Sequence, residues 1–191
     1  MNLSDDFLRA LAASTNRSSD PLRIVWPVPN NPAAIMEFVT FAEWKDFVLR
    51  LGLQRRTPEI VRLKYERAHK LYLLAWLDFD LIKAGELIAL TTLELALTDR
   101  YGDKVRDKKG QISFSRLLRY LPDHDGLSDA KLPMVQRSGG TAIEFLTGKA
   151  HPSLNEIRNS LAHGYPFDGL PYGGLLELVR DLIEYAYRDW P

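Results

Sequence analysis

Apolar residues recur at helical intervals through most of this chain. From Glu59 to about Trp76, Ile60, Leu63, Ala68, Leu71 and Leu74 repeat with the spacing of one helix face. A second helix is predicted from about Asp80 to Tyr101, stopping before Gly102. It is apolar on nearly every side, so neighbours must cover it all round. Asp103 to Gly110 is polar and ends in glycine, the pattern of a loop. Phe114 to Leu121 predicts a short helix ended by Pro122. Residues 122–150 read as irregular, with a turn of helix near Ala142 to Leu146. Pro152-Ser153 opens another helix that stops at Gly164, and a last one runs from about Gly174 to Arg188.

The first part of the chain is patterned differently. Residues 1–20 predict a short helix followed by a Ser/Asn-rich link from Ser14 to Asp20. Leu22 to Trp26 alternates weakly, as a short strand does. Pro27, Pro29 and Pro32 predict a loop, because proline lacks a backbone N–H and has a fixed φ. Residues 33–51 read as a helix. On this basis 1–57 is an accessory segment and 58–191 the helical domain.

Composition changes this picture little. The chain has 191 residues, 46% of them hydrophobic and 26% charged, enough for one globular domain with an extension. Basic and acidic residues number 25 each, so net charge singles out no partner. The absence of cysteine excludes disulfides, thiol catalysis and zinc–thiolate sites. MNLSDDFLRALAAS has no basic start followed by an apolar core, and the longest apolar stretches are broken by Lys83, Glu86 and Glu94. Neither a secretory signal nor a membrane span is expected, which points to the cytoplasm.

The run from Leu154 to Tyr165 carries the candidate chemistry. Measured around an ideal helix from Leu154, Ile157 falls at about 300° and Leu161 at about 340°. Arg158 falls at about 40°, beside the apolar stripe, where an unpaired charge is costly. Asn159 and His163, four residues apart, share the adjoining face at roughly 140° and roughly 180°. An arginine at a buried seam beside an Asn–His pair at a helix end marks a candidate site.

Arg158-Asn159-Ser160-Leu161-Ala162-His163 resembles the RNxxxH form of the Rx4-6H motif of the HEPN superfamily (higher eukaryote and prokaryote nucleotide-binding domains). The order of helices over about 59–189 is similar to that family too. The resemblance implies an all-α fold, a HEPN-like four- to five-helix bundle with an N-terminal extension. It also implies a metal-independent endoribonuclease that needs no cofactor, working as a homodimer whose two motif helices face one cleft. Carried over by position, Arg158, Asn159 and His163 would be the catalytic set. Attack of an RNA 2′-OH on the adjacent phosphate leaves a 2′,3′-cyclic phosphate. Histidine suits the proton transfer, and a fixed guanidinium suits the charge that develops on phosphorus. Tyr165 extends the match to the RxxxxHxY form of toxin members. In those, a nucleotidyltransferase antitoxin attaches AMP to the tyrosine, so such a partner, and a toxin or phage-defence role, are implied. Other members keep the fold without catalysis and bind nucleotide, RNA or a protein partner.

Other residues are weaker candidates. Glu94 sits in a helix that is apolar on most sides and needs a partner; it is either an acid that holds Arg158 from behind or a carboxylate emerging at a helix seam. Glu86 is a weaker candidate for the same role. Seven basic residues lie in Arg50–Lys70 (Arg50, Arg55, Arg56, Arg62, Lys64, Arg67, Lys70) against two acids. Seven more lie in Arg100–Arg119 (Arg100, Lys104, Arg106, Lys108, Lys109, Arg116, Arg119), again against two acids. Lining a cleft, they would attract RNA phosphates; as separate residues they are solvated faces. His69, His124 and His151 lack metal-ligand spacing, so no metal is expected. Gly139-Gly140-Thr141 lacks the Lys-Ser/Thr that follows in a phosphate loop. Trp26, Trp44, Trp76 and Trp190 read as core or dimer-seam residues.

Overall fold

The structure, a computed structural model, describes residues 5, 9, 17, 19–164 and 170–190. The short helix expected within 1–20 lies, apart from single positions, outside the described residues, and so does Tyr165. The chain is mostly helical, as expected, but it is not all-α: a small antiparallel hairpin precedes the helices. Its strands are β1 (Leu22–Val28) and β2 (Asn31–Phe38). The helices are α1 (Phe41–Leu49), α2 (Glu59–Leu74), α3 (Leu81–Val105), α4 (Phe114–Asp123), α5 (Pro133–Ser138), α6 (Ile143–Thr147), α7 (Leu154–His163) and α8 (Leu175–Ala186).

The hairpin corrects two expectations, the loop over Pro27–Pro32 and the helix over 33–51. Leu22 pairs with Phe38 and Trp26 with Ala34, and the register shifts between Trp26 and Val28. Pro27 falls at this irregularity. Pro29 and Asn30 form the turn, with Asn30 at φ 61. In a sheet of two strands both are edges, so proline is tolerated. The Ala-, Met- and Glu-containing run after Pro32 favours helix locally, but pairing with β1 overrides that preference. The true helix starts at Thr40, whose hydroxyl accepts from the Glu43 N–H while the Glu43 carboxylate accepts from Thr40 N–H, a capping box.

At the centre lies α3, packed against α2, α4, α7 and α8. Its buried residues include Ile82, Ala89, Leu90, Leu93, Ala96 and Leu97, so the apolar surround read from the sequence is matched by packing. Gly85 lets α2 approach: a Cβ there would stand 2.7 Å from the Tyr72 ring, which is itself fully buried. The helix passes Gly102 and ends at Val105, a further correction. Gly102 is not a stop but a contact point, since a Cβ there would come within 3.2 Å of Ile112. The loop folds back over that bare position. Similarly, Pro122 lies inside α4 rather than beyond it. Downstream N–H groups of His124 and Asp125 donate to the Tyr120 carbonyl, which closes the last turn.

Residues 22–51 share one continuous core with the helices. Trp26 meets Phe47 edge-on at 4.9 Å, and Trp44 Nε1–H donates to the Tyr72 carbonyl at 2.8 Å. The hairpin is also tied by charge. Buried Trp26 Nε1–H donates to Glu177 on α8 at 3.0 Å, and Arg137 of α5 grips both Glu177 oxygens at 2.8 Å. Arg180 joins Glu177 to Asp181, and Asp181 accepts the Met134 N–H at 2.8 Å. Burial pushes the Glu177 carboxyl upward, but Arg137 and Arg180 outweigh it and hold the group below its usual range. Burial wins at Asp181, whose carboxyl is raised despite Arg180.

Trp26→Phe tests this tie. It keeps the ring in the core and removes one donor to a buried carboxylate. Unfolding free energy from urea titration should fall by about 1–3 kcal/mol, the range for a hydrogen bond to a charged group. An unchanged midpoint would show that Glu177 is satisfied without the hairpin.

Candidate functional site

The site begins with how α7 is set. Ser153 caps it: its hydroxyl accepts from the Glu156 N–H, and the Glu156 carboxylate accepts from the Ser153 N–H at 2.8 Å and lies 3.0 Å from His151 Nδ1. The hydrogen bonds from Ser153, together with His151, hold the Glu156 carboxyl down at about 2. Leu154 and Ile157 bury the inner flank, and the helix ends at Gly164, which takes a left-handed φ of 62. Only glycine adopts that conformation freely, so the stop read from the sequence is physical.

Arg158 projects from this helix toward α3. Its Nε–H donates to Glu94 Oε2 at 3.1 Å, and an Nη2–H donates to the same oxygen. Nη1–H donates to Asn159 Oδ1 at 2.8 Å. Its guanidinium carbon stands 5.8 Å from the Phe114 ring centroid. Both side chains of the ion pair keep about a quarter of their surface exposed, 25% for Arg158 and 26% for Glu94. A guanidinium carries five N–H groups. Three of them are used here, leaving one on each Nη. Because arginine only donates, the Asn159 oxygen must face it, and the Asn159 amide N–H groups are left to donate elsewhere. Arg158 and Asn159 therefore present a fixed, donor-only edge, and such an edge suits an anion.

His163 stands apart from this edge. It lies in the last turn of α7, exposed, and makes no hydrogen bond with a described residue. It shares a face with Asn159, one turn away, and is about 140° around the helix from Arg158. The structure thus brings Glu94, Arg158 and Asn159 together and leaves His163 exposed to solvent at the same helix end. Tyr165 follows outside the described residues.

Glu86 is buried, accepts the Tyr172 N–H and lies 3.4 Å from Lys83, so it serves the segment before α8 rather than Arg158. His69 is buried beside Tyr65, and burial lowers its pKa to about 4, which keeps it neutral. Trp26, Trp44 and Trp76 are buried, whereas Trp190 is 40% exposed. Among the described residues, no group of three or more His, Asp or Glu side chains is placed to hold a metal ion, and no helix is long and apolar enough to cross a membrane. An apolar cleft of about 490 Å³ lies against the inner flank of α7, lined by Leu154, Ile157, Met134, Phe145 and Leu178. Arg158, Asn159 and His163 do not line it. No sequence pattern reveals this cleft, because its walls come from separate segments.

The Glu156 carboxylate has a folded pKa below its unfolded value near 4.5, so its cap is fully present above about pH 4.5. The cap is lost as pH falls toward about 2. Amide protection at the first turn of α7, taken relative to the intrinsic exchange rate at each pH, should fall over that window in the wild type, whereas Glu156→Ala should already show low protection at neutral pH. Equal protection in both proteins would remove the cap from the account. A double-mutant cycle of Glu94→Ala and Arg158→Ala should give a coupling of about 1 kcal/mol in stability, as expected for a partly exposed, geometrically fixed pair. Zero coupling would mean that Glu94 does not hold Arg158.

No protein-family model matches this chain, and no curated protein and no solved structure matches it either.

Proposed function

We propose that the chain is a HEPN-like, metal-independent endoribonuclease of a toxin or phage-defence system, with Arg158, Asn159 and His163 as its working groups. The observation that carries this reading is the donor-only edge of Arg158 and Asn159, fixed by Glu94, at the same helix end as an exposed histidine. In the proposed step a base removes the proton of the RNA 2′-OH. The O2′–P bond forms, the P–O5′ bond breaks, and an acid returns a proton to the leaving 5′-oxygen. The free N–H groups of Arg158 and Asn159 bind the non-bridging oxygens, whose charge grows in the transition state. His163 moves one of the two protons.

One α7 does not aim Arg158 and His163 at a single phosphate, since they point about 140° apart. A homodimer in which one protomer supplies the guanidinium edge and the other the imidazole removes that difficulty. Glu94 acts as a positioning residue: it neutralises part of the Arg158 charge but fixes its direction. The same ion pair suits a second reading, a non-catalytic module that binds nucleotide, RNA or a protein partner. An arginine already matched by an acid is stable without substrate.

End-labelled RNA incubated in EDTA separates the readings. Wild type should cleave and leave 2′,3′-cyclic phosphate ends. His163→Ala should lose about 10²-fold or more in rate with its circular dichroism unchanged. Mixing Arg158→Ala with His163→Ala should restore part of the activity through mixed dimers. Wild-type rates in His163→Ala would overturn the assignment. RNA binding without cleavage by the wild type would favour the non-catalytic module.

A further inference from the structure

We propose that the groove between the C-terminal end of α3 and the outer face of α4 binds a single-stranded RNA segment, gripping phosphates with Lys104, Arg116 and Arg119 and stacking a base on His124. This rests on the ribonuclease reading and names where the strand beyond the scissile bond would lie.

The groove has a volume of about 670 Å³. It exists because α4 is strongly two-faced: Phe114, Leu117, Leu118 and Leu121 are buried against the core. Measured around the helix from Phe114, Arg119 falls at about 140°, Asp123 at about 180°, Arg116 at about 200° and Tyr120 at about 240°, so these residues face outward. Lys104 reaches the same groove from the last turn of α3. Asp123 is the one carboxylate in its lining. Arg119 makes no hydrogen bond or ion pair with a described residue, and its guanidinium lies near the bare Gly148. Lys104 sits 5.7 Å from the ring centroids of both Tyr101 and Tyr120. Arg116 has a longer contact, 3.4 Å, with Asp107. Arg119 and Lys104 thus form no ion pair with an acid among the described residues, and Arg116 would exchange its long contact with Asp107 for a phosphate.

The aromatic rings decide which anion. Tyr101 and Tyr120 lie 5.1 Å apart at 35°, and Tyr120 and His124 lie 5.2 Å apart at 36°. The staircase starts at buried Tyr101, anchored by its hydroxyl to Asp125, passes half-buried Tyr120 and ends on exposed His124. Exposed cations beside an ordered stack with an open last step match single-stranded nucleic acid, whose bases stack while its phosphates are neutralised. A duplex hides its base faces and leaves the last step unused. The groove and the site share α4: Phe114, beside Arg158, and Arg119 are about 7.5 Å apart along its axis and about 140° apart around it, a separation that a short run of nucleotides passing over the helix covers.

The test is fluorescence anisotropy with labelled 2′-O-methyl oligouridine, which lacks the attacking hydroxyl and so survives the enzyme. Lys104→Ala/Arg119→Ala should weaken binding at least 10-fold and reduce the slope of log K against log salt by about 1.4, two single-strand phosphate contacts. Arg23→Ala/Lys45→Ala removes the same charge from the hairpin side and should stay within twofold of wild type. His124→Ala should weaken binding about fivefold or more with the salt slope unchanged, and His124→Phe should restore it. Circular dichroism melting establishes that each variant is folded. If wild type cleaves RNA but the groove variants bind and cleave like it, the groove inference fails and the ribonuclease reading stands. A wild type that neither binds nor cleaves overturns both. Competition by inorganic polyphosphate equal to that by RNA, with no effect of His124→Ala, would make the groove a general anion surface and overturn the inference.

Discussion

The burial of α3 is the constraint on which the rest of the structure depends. A helix of 25 residues with apolar groups on most sides must be covered along most of its length, and only Ala84, Thr98, Asp99, Asp103 and Lys104 are exposed. It therefore recruits α2, α4, α7 and α8, and its length sets how far apart their ends lie. Close approach is built in at Gly85, where α2 packs its Tyr72 ring against bare backbone. The carboxylate that α3 presents to Arg158 of α7 is Glu94. Arg158 and Glu94 are each partly covered at this seam, so each gains from the opposite charge of the other. The candidate site is thus a consequence of packing one charged pair between two helices, and its rigidity comes from the core beneath it.

The hairpin and α1 belong to the same packing problem. The buried carboxylates of Glu177 and Asp181 on α8 carry a large desolvation penalty. Arg137, Arg180, the Trp26 indole and the Met134 N–H offset it from three different elements. These groups converge at one place, so the hairpin cannot detach without leaving Glu177 short of a donor. This ties the N-terminal segment to α5 and α8, the walls of the apolar cleft beside α7.

The extents of α3 and α8 were legible to within a few residues because apolar spacing coincides with burial there, and the ends of α7 because Ser153 and Gly164 have geometric roles. In α2 the helix was legible but its face was not, since Ile60 and Leu63 are exposed while Val61, Tyr65, His69 and Tyr72 turn inward, and α5 was hidden in a stretch read as irregular. The motif run pointed to the partners as well: a charge beside the apolar stripe had to find an acid, and Glu94 was the acid placed in an apolar helix. The hairpin was not legible, because its second strand is built from residues that favour helix and owes its form to β1. The Thr40 and Glu43 capping box was the available signal that the helix begins later. Gly102 and Pro122 misled for one reason. Both are helix terminators by local preference, and both are overridden by a neighbour: Ile112 over Gly102, and the Tyr120 carbonyl closing beyond Pro122. The groove on α4 was half legible. Its cations stand out in sequence, but the ordering of Tyr101, Tyr120 and His124 into one staircase arises from two helices meeting.

What separates a site from a salt bridge here is the unused bonding capacity. A structural arginine at a seam ends with its donors satisfied; Arg158 retains two, and its neighbour Asn159 is turned so that its own donors face away from it. Glu94 accepts two of the guanidinium N–H groups with one oxygen, which fixes the plane of the guanidinium while leaving its far edge bare. On α4, the same logic holds for Arg119, which pairs with no acid among the described residues. Two regions with spare donors, joined by the helix that begins under Arg158, are the path along which the proposed RNA strand would run. A chain with balanced net charge can bind one, because the local arrangement of free donors, not the total charge, sets the attraction at contact distance.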